Sequence, residues 1–189
     1  MSKQTGKGPF ILVTGGCRSG KSAFAQKLAE ALGPDRLFLA SAQIYDEEMR
    51  RRALAHRRKR GAGWRLYELG ADEAAGLPDK LGEMAHPGEV LLFDCLTLWA
   101  SACMRADRAP PGFEGLCRKL AAALASLPGP VLAVQNETGS GVVPLTPAGR
   151  AFRDMSGIVG QCAAARADCV VLMVCGLPLL LKGKLPVSF

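Results

Sequence analysis

The clearest chemical pattern lies near the start of the chain, in a glycine-rich stretch that ends in a lysine and a serine. It reads Gly-x-x-x-x-Gly-Lys-Ser, directly after an apolar run and directly before a predicted helix. Glycines let backbone N–H groups turn inward onto phosphate oxygens, and a helix N-terminus adds the positive end of its dipole. In this context the pattern predicts a phosphate loop that binds a purine nucleoside triphosphate. Its residues are Gly15, Gly16, Cys17, Arg18, Ser19, Gly20, Lys21 and Ser22.

Two side chains of this phosphate loop have predicted roles in chemistry. Lys21 is expected to reach the β- and γ-phosphates, and the Ser22 hydroxyl is expected to bind Mg²⁺. Asp94 ends a second apolar run, so it is a candidate to hold the same metal directly or through water. A helix cap for the following segment is the alternative role for Asp94.

Apolar strands alternate with helical stretches along the chain. Runs at 10–14, 37–40, 90–94, 131–134 and 169–175 read as buried strands, and Ser22 to Leu32 shows helical spacing. Thr146 and Pro147 predict the start of another helix, whereas 105–115 reads as a surface loop. The alternation predicts an α/β fold with a mainly parallel central sheet flanked by helices. Ligands of such sheets bind at the carboxyl ends of the strands.

The 189 residues fit one domain, predicted over 10–189 and preceded by an extension over 1–9. Hydrophobic residues make up 49% and charged residues 22%, values typical of a folded globular protein. None of the seven cysteines has Cys-x-x-Cys spacing, and most lie in apolar stretches. They are predicted to be small buried hydrophobes in a cytoplasmic protein. The apolar run at 169–181 is interrupted by Gly176 and Pro178, so no membrane span is expected.

The net charge of +7 has a local source. Seven cations and no acidic residue lie in the basic run at 50–60, and the rest of the chain is neutral overall. A nucleic-acid binder more often spreads cations over a face with aromatic residues among them. Nucleic acid is therefore not the expected partner, although a solvated helix end and a phosphate-binding surface both remain open for this run.

Several further patterns follow the phosphate loop in a fixed order. Together they resemble the bifunctional adenosylcobinamide kinase/adenosylcobinamide-phosphate guanylyltransferase family of cobalamin biosynthesis, over about 11–182. The stretch Asn-Glu-Thr-Gly-Ser-Gly-Val-Val-Pro is far more specific than the phosphate loop itself. The matching segments are 15–22, 46–49, 52–57, 94–99, 136–144 and 152–154.

The resemblance implies two reactions in one P-loop kinase/guanylyltransferase domain. The γ-phosphoryl group of ATP or GTP passes to a hydroxyl of adenosylcobinamide. A histidine then attacks the α-phosphate of GTP, and the GMP-histidine passes GMP to adenosylcobinamide phosphate, which gives adenosylcobinamide-GDP. The family resemblance also implies a RecA-like P-loop NTPase fold, Mg²⁺ and a homotrimer.

The residue that matches the covalent histidine is His56. The chain has only one other histidine, His86, which lies in a predicted turn. An imidazole with a pKa of about 6.5 is largely neutral and nucleophilic at neutral pH. On a helix, Arg52 and Arg60 would lie one turn before and one turn after His56 and place cations on the same face. A solvated histidine among arginines is the alternative.

The resemblance extends to further nucleotide-binding positions. Ala40, Ser41 and Ala42 match a segment that contacts nucleotide. Glu68 matches an acidic position near guanosine, where a carboxylate accepts two N–H bonds from guanine; a surface glutamate is the alternative. The cations expected to bind the triphosphate are Arg57, Arg58, Lys59 and Arg60.

Two other functions remain possible at this stage. One is a different P-loop small-molecule kinase in which His56 is incidental, and the other is a RecA-like nucleic-acid-binding ATPase that uses the basic run. Two residues also depart from the family pattern. Cys17 occurs where the family often has alanine, and Gly160 is expected to weaken a predicted helix.

Overall fold

The structure is a computed structural model that describes residues 7–41 and 61–187. In chain order its elements are β1 (Phe10–Gly15), α1 (Lys21–Leu32), β2 (Arg36–Ala40), β3 (Trp64–Glu68), a short 3-10 helix (Ala74–Gly76), α2 (Leu77–Met84), β4 (Val90–Asp94), α3 (Leu96–Cys103), α4 (Phe113–Ser126), β5 (Val131–Asn136), α5 (Pro147–Arg166), β6 (Cys169–Val174) and β7 (Leu177–Lys182).

The strands form one seven-stranded sheet in the order β3-β2-β4-β5-β1-β6-β7. The first six are parallel to their neighbours, and β7 is an antiparallel edge strand on β6. This arrangement confirms the predicted α/β fold with a mainly parallel central sheet. The parallel order also places the ends of β1, β2, β4 and β5 at the same edge, where the phosphate loop, Ser41 and Asp94 lie.

Helices cover both faces of the sheet. Successive residues of β1 point to opposite faces, as expected for a strand. Phe10 and Leu12 pack in the core on the side of α2 to α5, whereas Ile11 and Val13 pack in the core on the side of α1. All four side chains are almost fully buried. Burial on both sides explains why the strand has a continuous apolar sequence rather than an alternating one.

The largest buried side chain is Trp99 of α3, which is 0% exposed. Its indole N–H donates a 2.7 Å hydrogen bond to the carbonyl of Ala74, and its ring stacks on Phe113 with the centroids 5.9 Å apart. The pairing satisfies the one polar group of the side chain, so its full burial carries no unpaired donor. Trp99 thereby joins three helical elements on one face of the sheet.

All five strands predicted from the sequence are present, but two further strands were missed. The short strand β3 contains Arg65 and Glu68 and is only partly buried, so it has no continuous apolar run. Strand β7 contains Pro178, which is tolerated here because β7 lies at the sheet edge. The surface loop predicted over 105–115 is confirmed, although α4 already begins at Phe113.

The burial predicted for the cysteines is correct for most of them and wrong for Cys175. All seven are unpaired; Cys95, Cys103, Cys117 and Cys169 are buried and Cys162 is partly buried, whereas Cys17 and Cys175 are exposed. Cys175 is exposed because it forms the turn between β6 and β7, with positive φ at both Cys175 and Gly176. Burial raises the pKa of Cys95 and of Cys117 to about 12 and that of Cys103 to about 11, which leaves these thiols protonated.

Gly160 lies inside the long helix α5, which the structure shows to be continuous over 20 residues. A Cβ atom at this position would lie 2.5 Å from Nε2 of Gln135. The Gln135 side chain is buried and donates a 2.7 Å hydrogen bond to the carbonyl of Ser156. Glycine at this position therefore makes room for a hydrogen-bonded side chain of the neighbouring strand β5.

Replacing Gly160 by alanine is expected to destabilise the protein by up to about 2 kcal/mol. Overpacking costs roughly 1–3 kcal/mol, from which a helix-propensity gain of at most about 1 kcal/mol is subtracted. The matched control is Gly157→Ala on the same helix, where a Cβ meets nothing within 4 Å. That change is expected to stabilise by up to about 1 kcal/mol. Denaturant unfolding measures both, and equal effects of the two substitutions would contradict this account.

Candidate active site

The phosphate loop connects the end of β1 to the start of α1. Gly15 has φ of 148° and Gly20 has φ of 95°, and Arg18 also adopts a positive φ of 58°. A Cβ on Gly15 would lie 2.5 Å from the carbonyl oxygen of Met173 and 2.8 Å from Oγ of Ser19. Glycine is therefore required at Gly15 both for its backbone angle and for its close neighbours. This is a tight strand-to-helix turn of the kind the sequence predicts.

Lys21 is the first residue of α1 and is only 6% exposed. Its ammonium group donates a 2.5 Å hydrogen bond to the carbonyl of Gly16, across the phosphate loop. Burial lowers the pKa of Lys21, and the negative charge of Asp94 partly opposes this effect. The charge is thus placed in a poorly solvated position beside the loop backbone, where attraction to an anion is stronger than in water.

The neighbouring segments hold the phosphate loop from both sides. On one side, the N–H of Glu137 donates a 2.9 Å hydrogen bond to the carbonyl of Gly15. On the other side, the N–H of Gly176 in the β6–β7 turn donates a 3.0 Å hydrogen bond to the carbonyl of Ser19. These contacts fix the loop against the ends of β5 and β6. The sequence did not predict the second contact, although an apolar run interrupted by Cys-Gly is a signal for a hairpin.

Ser19 has one buried atom without a hydrogen-bond partner. Its Oγ finds none among residues 7–41 and 61–187. A buried hydroxyl is normally paired, so an unpaired one within a loop of this type marks a position where a bound group supplies the partner.

Asp94 and Ser41 lie at the ends of β4 and β2. The Ser41 hydroxyl is fully buried, donates a 2.6 Å hydrogen bond to the Cys95 carbonyl and accepts a 2.8 Å bond from the Cys95 N–H. The hydroxyl predicted to contact nucleotide is thus engaged within the protein and ties the two strand ends together. At α3 the N-cap position is taken by Cys95 rather than by Asp94.

The sheet register aligns three of the predicted nucleotide-binding residues. Ala40 is paired with Glu68 on one side and with Asp94 on the other. These residues therefore lie side by side at the carboxyl ends of β2, β3 and β4, and Glu68 is exposed. The pairing places Glu68 at the same carboxyl edge as the phosphate loop, on a strand that lies four positions from β1 in the sheet. The remaining predicted residues lie outside the described residues: Ala42, His56, Arg57, Arg58, Lys59 and Arg60.

The segment 137–146 follows β5 at this edge and has a fixed backbone. The Glu137 carboxylate accepts a 2.6 Å hydrogen bond from the N–H of Gly139 and a 3.2 Å bond from that of Ser140. From α5, Arg153 donates to the carbonyl of Gly139, and Arg150 donates at 2.8 Å to the carbonyl of Leu145. The most specific motif in the sequence is therefore a structured loop beside the phosphate loop.

The hydrogen bonds of Glu137 predict a pH dependence of stability. Burial raises the pKa of this carboxyl group, but hydrogen bonds from Ser140 and Gly139 and the charge of Arg153 outweigh burial and lower the pKa overall. A lowered folded-state pKa stabilises the protein above the unfolded value of about 4.3, and this stabilisation disappears as the pH falls through the folded value.

Replacing Glu137 by glutamine is therefore expected to lower Tm by about 1–3 °C at pH 7, since an exposed charged contact contributes at most about 1 kcal/mol. The difference between variant and wild type should shrink as the pH falls below about 4.3, as measured by thermal unfolding across pH. Glu83→Gln, at an exposed glutamate of α2, is the control. A difference that persists unchanged at pH 3 would contradict the role of the ionised carboxylate.

Two other kinds of feature are absent from residues 7–41 and 61–187. No group of three or more histidine, cysteine, aspartate or glutamate side chains is placed to hold a metal ion. No helix of this part of the chain is long and apolar enough to cross a membrane.

The strand–loop–helix unit at this edge defines a P-loop nucleotide-binding protein. The model of one family, described as cobinamide kinase/cobinamide phosphate guanyltransferase, matches residues 11–181. The chain therefore belongs to this family of bifunctional enzymes, as the sequence motifs predicted.

Individual relatives agree with this assignment. The chain is 42% identical over 173 residues to the bifunctional adenosylcobalamin biosynthesis protein CobP of Pseudomonas aeruginosa, with 92% of this chain and 97% of the relative covered. It is 35% identical over 191 residues to the bifunctional adenosylcobalamin biosynthesis protein CobU of Escherichia coli, with 92% of this chain and 99% of the relative covered.

Solved structures show the fold. A RadB recombinase superposes with a TM-score of 0.53 at 15% identity, over 88% of this chain and 76% of that chain. An ATPase of a type III secretion system gives a TM-score of 0.53 at 17% identity, over 88% of this chain and 52% of that chain. The predicted RecA-like P-loop NTPase fold is thus confirmed.

Proposed function

We propose that this chain carries out both reactions of its family at the carboxyl edge of the sheet. It transfers the γ-phosphoryl group of ATP or GTP to the hydroxyl of adenosylcobinamide. It then transfers GMP from GTP to His56 with release of pyrophosphate, and the GMP-histidine passes GMP to adenosylcobinamide phosphate. The single observation that carries the proposal is the family match over residues 11–181, which includes the phosphate loop with its buried lysine.

The geometry of the phosphate loop supports triphosphate binding. The Lys21 ammonium and the unpaired Ser19 hydroxyl both belong to this loop, and α1 begins at Lys21. An anion there gains a charge-assisted hydrogen bond from the lysine and the dipole of α1. It also supplies the partner that the Ser19 hydroxyl lacks. Lys21 would orient the transferred phosphoryl group and stabilise the charge that develops on its oxygens.

The donor set at this edge fits Mg²⁺. Ser22 and Asp94 offer a hydroxyl and a carboxylate, which are hard oxygen ligands of the kind that Mg²⁺ prefers. Mg²⁺ is commonly held by one or two protein ligands together with substrate phosphates and water, so a dedicated cluster of carboxylates is not required. A bound Mg²⁺ would neutralise charge on the phosphates, and Ser22 and Asp94 would fix its position.

The roles of the other site residues are proposed from the family positions that they match. Glu68 would accept N–H bonds from guanine, and Ala40 and Ala42 would line the nucleotide site, whereas the buried Ser41 would hold the adjoining strand end to Cys95. The cations Arg57, Arg58, Lys59 and Arg60 would bind the triphosphate near His56. Residues 10–189 would form the one domain that carries both activities, and the unpaired state of all seven cysteines supports a cytoplasmic location.

The edge strand β7 supports the proposed homotrimer. Leu177, Leu179, Leu180 and Leu181 are 46–71% exposed, and the outer edge of β7 has no strand paired to it within the described sheet. Apolar edge strands tend to pair with other chains, so this strand is a suitable contact for a second copy. Sedimentation at equilibrium tests the assembly, and a monomer at micromolar concentration would rule it out.

Product analysis tests the proposed function directly. The protein is incubated with adenosylcobinamide, GTP and Mg²⁺, and the corrinoids are identified by mass spectrometry. Adenosylcobinamide phosphate and adenosylcobinamide-GDP are expected, and both should disappear when EDTA removes the metal. Formation of the phosphate without the GDP product would leave a kinase alone and exclude the second half of the proposal.

A further inference from the structure

The loop that follows β5 exposes several apolar side chains to solvent. In the apolar segment 142–145, Val142 is 94% exposed, Val143 is 60% exposed and Leu145 is 95% exposed. Single exposed apolar side chains are common on proteins, but three within four residues form a patch. Such a patch normally marks a surface that another molecule covers.

The exposure of these side chains is built into the fold. Arg150 donates hydrogen bonds of 3.1 Å to the Pro144 carbonyl and 2.8 Å to the Leu145 carbonyl. Thr146 caps α5 through a 3.1 Å bond from the Gly149 N–H. The backbone is thus fixed at the C-terminal end of the segment, as it is at the N-terminal end by Glu137. The apolar side chains are presented outward by an ordered loop.

The position of the segment relative to the phosphate loop indicates which kind of molecule covers it. The loop begins at Glu137, whose N–H is bonded to the Gly15 carbonyl of the phosphate loop. Val142 is five positions after Glu137, so it lies at most about 18 Å from that residue. A molecule that places a hydroxyl at the terminal phosphate while it rests on this segment must be large and partly apolar.

We propose that the apolar segment 142–145 binds the corrin ring of the acceptor, cobinamide or its phosphate. The inference rests on the proposed function, because that function supplies the corrinoid. A corrin ring carries methyl groups and amide side chains, so it offers apolar surface to Val142, Val143 and Leu145. Arg150 is a positioning residue, since it holds the backbone of the segment rather than the ligand.

The test compares a polar and a conservative double variant in the intact protein. Val142→Ser with Leu145→Ser removes apolar contact, and Val142→Ile with Leu145→Met retains it. In the serine variant, KM for cobinamide in the kinase reaction and Kd for cobinamide by equilibrium dialysis are expected to rise roughly 10- to 100-fold. KM for the nucleotide and labelling of the protein by GTP alone should stay within about twofold. The conservative variant should behave like wild type.

The alternative results are distinguishable. Unchanged Kd and KM for cobinamide in the serine variant would overturn the inference. Dissociation of the oligomer with unchanged cobinamide binding would also overturn it and assign the segment to a subunit contact. Wild-type protein that neither binds nor phosphorylates cobinamide would overturn the proposed function and, with it, the inference.

Discussion

Lys21→Ala is expected to abolish both activities, because it weakens nucleotide binding and removes a charge that acts on the transferred phosphoryl group. The buried ammonium group of Lys21 lies across the phosphate loop, and Lys21 is the residue at which α1 begins. A charge-assisted hydrogen bond to phosphate contributes about 1.5–3 kcal/mol, which corresponds to a 10- to 150-fold loss of affinity. The loss in turnover should be larger, because the same charge stabilises the transferred phosphoryl group. Nucleotide titration by calorimetry and the product assay measure the two effects.

The control for this variant is Lys27→Ala. Lys27 lies on the same helix but is exposed, so its removal changes the net charge equally without affecting the loop. Nucleotide affinity should stay within about twofold of wild type, as expected for an exposed charge. If Lys21→Ala lost phosphorylation but kept GMP transfer, the two reactions would use separate nucleotide sites, contrary to our prediction.

His56→Ala is expected to eliminate covalent attachment of GMP while leaving phosphorylation of cobinamide largely intact. GTP labelled at the α-phosphate should label the wild-type protein through a bond that is acid-labile and base-stable. No described side chain at the carboxyl edge of the sheet is a histidine. Loss of a covalent nucleophile typically lowers the rate by several orders of magnitude, roughly 10⁴-fold or more. Intact mass after incubation with GTP and Mg²⁺ gives the same answer without a radiolabel.

His86→Ala is the matched control for this experiment. His86 is exposed in the turn between α2 and β4, at the amino edge of the sheet and away from the phosphate loop. The variant should be labelled as fully as wild type. If instead the label survived in His56→Ala and was lost in His86→Ala, the assignment of the nucleophile would be wrong.

The sequence predicted the sheet well where strands are buried on both faces. β1, β4, β5 and β6 have continuous apolar runs, and each of them is bounded by glycine, proline or a charged residue. β3 was missed because a half-buried strand needs no such run, and β7 was missed because its apolar run is interrupted by Pro178. Their place is set by pairing with β2 and β6, which is a property of the assembled sheet rather than of their own residues.

The site was predictable to the extent that it is local in sequence. The phosphate loop takes all its main features from eight consecutive residues, including the angles that require Gly15 and Gly20. The contacts from Glu137 and Gly176 join residues more than a hundred positions apart, so spacing along the chain did not reveal them. Gly160 illustrates the same point, because its neighbour Gln135 lies on another element.

The hydrogen bond between Gly176 and Ser19 has a thermodynamic consequence. It connects the β6–β7 turn, and through it the apolar edge strand, to the loop that binds phosphate. If copies of the chain associate through β7, nucleotide binding and association become linked equilibria. Linkage is reciprocal, so any factor by which nucleotide tightens assembly equals the factor by which assembly tightens nucleotide binding. The affinity measured for GTP would then depend on protein concentration.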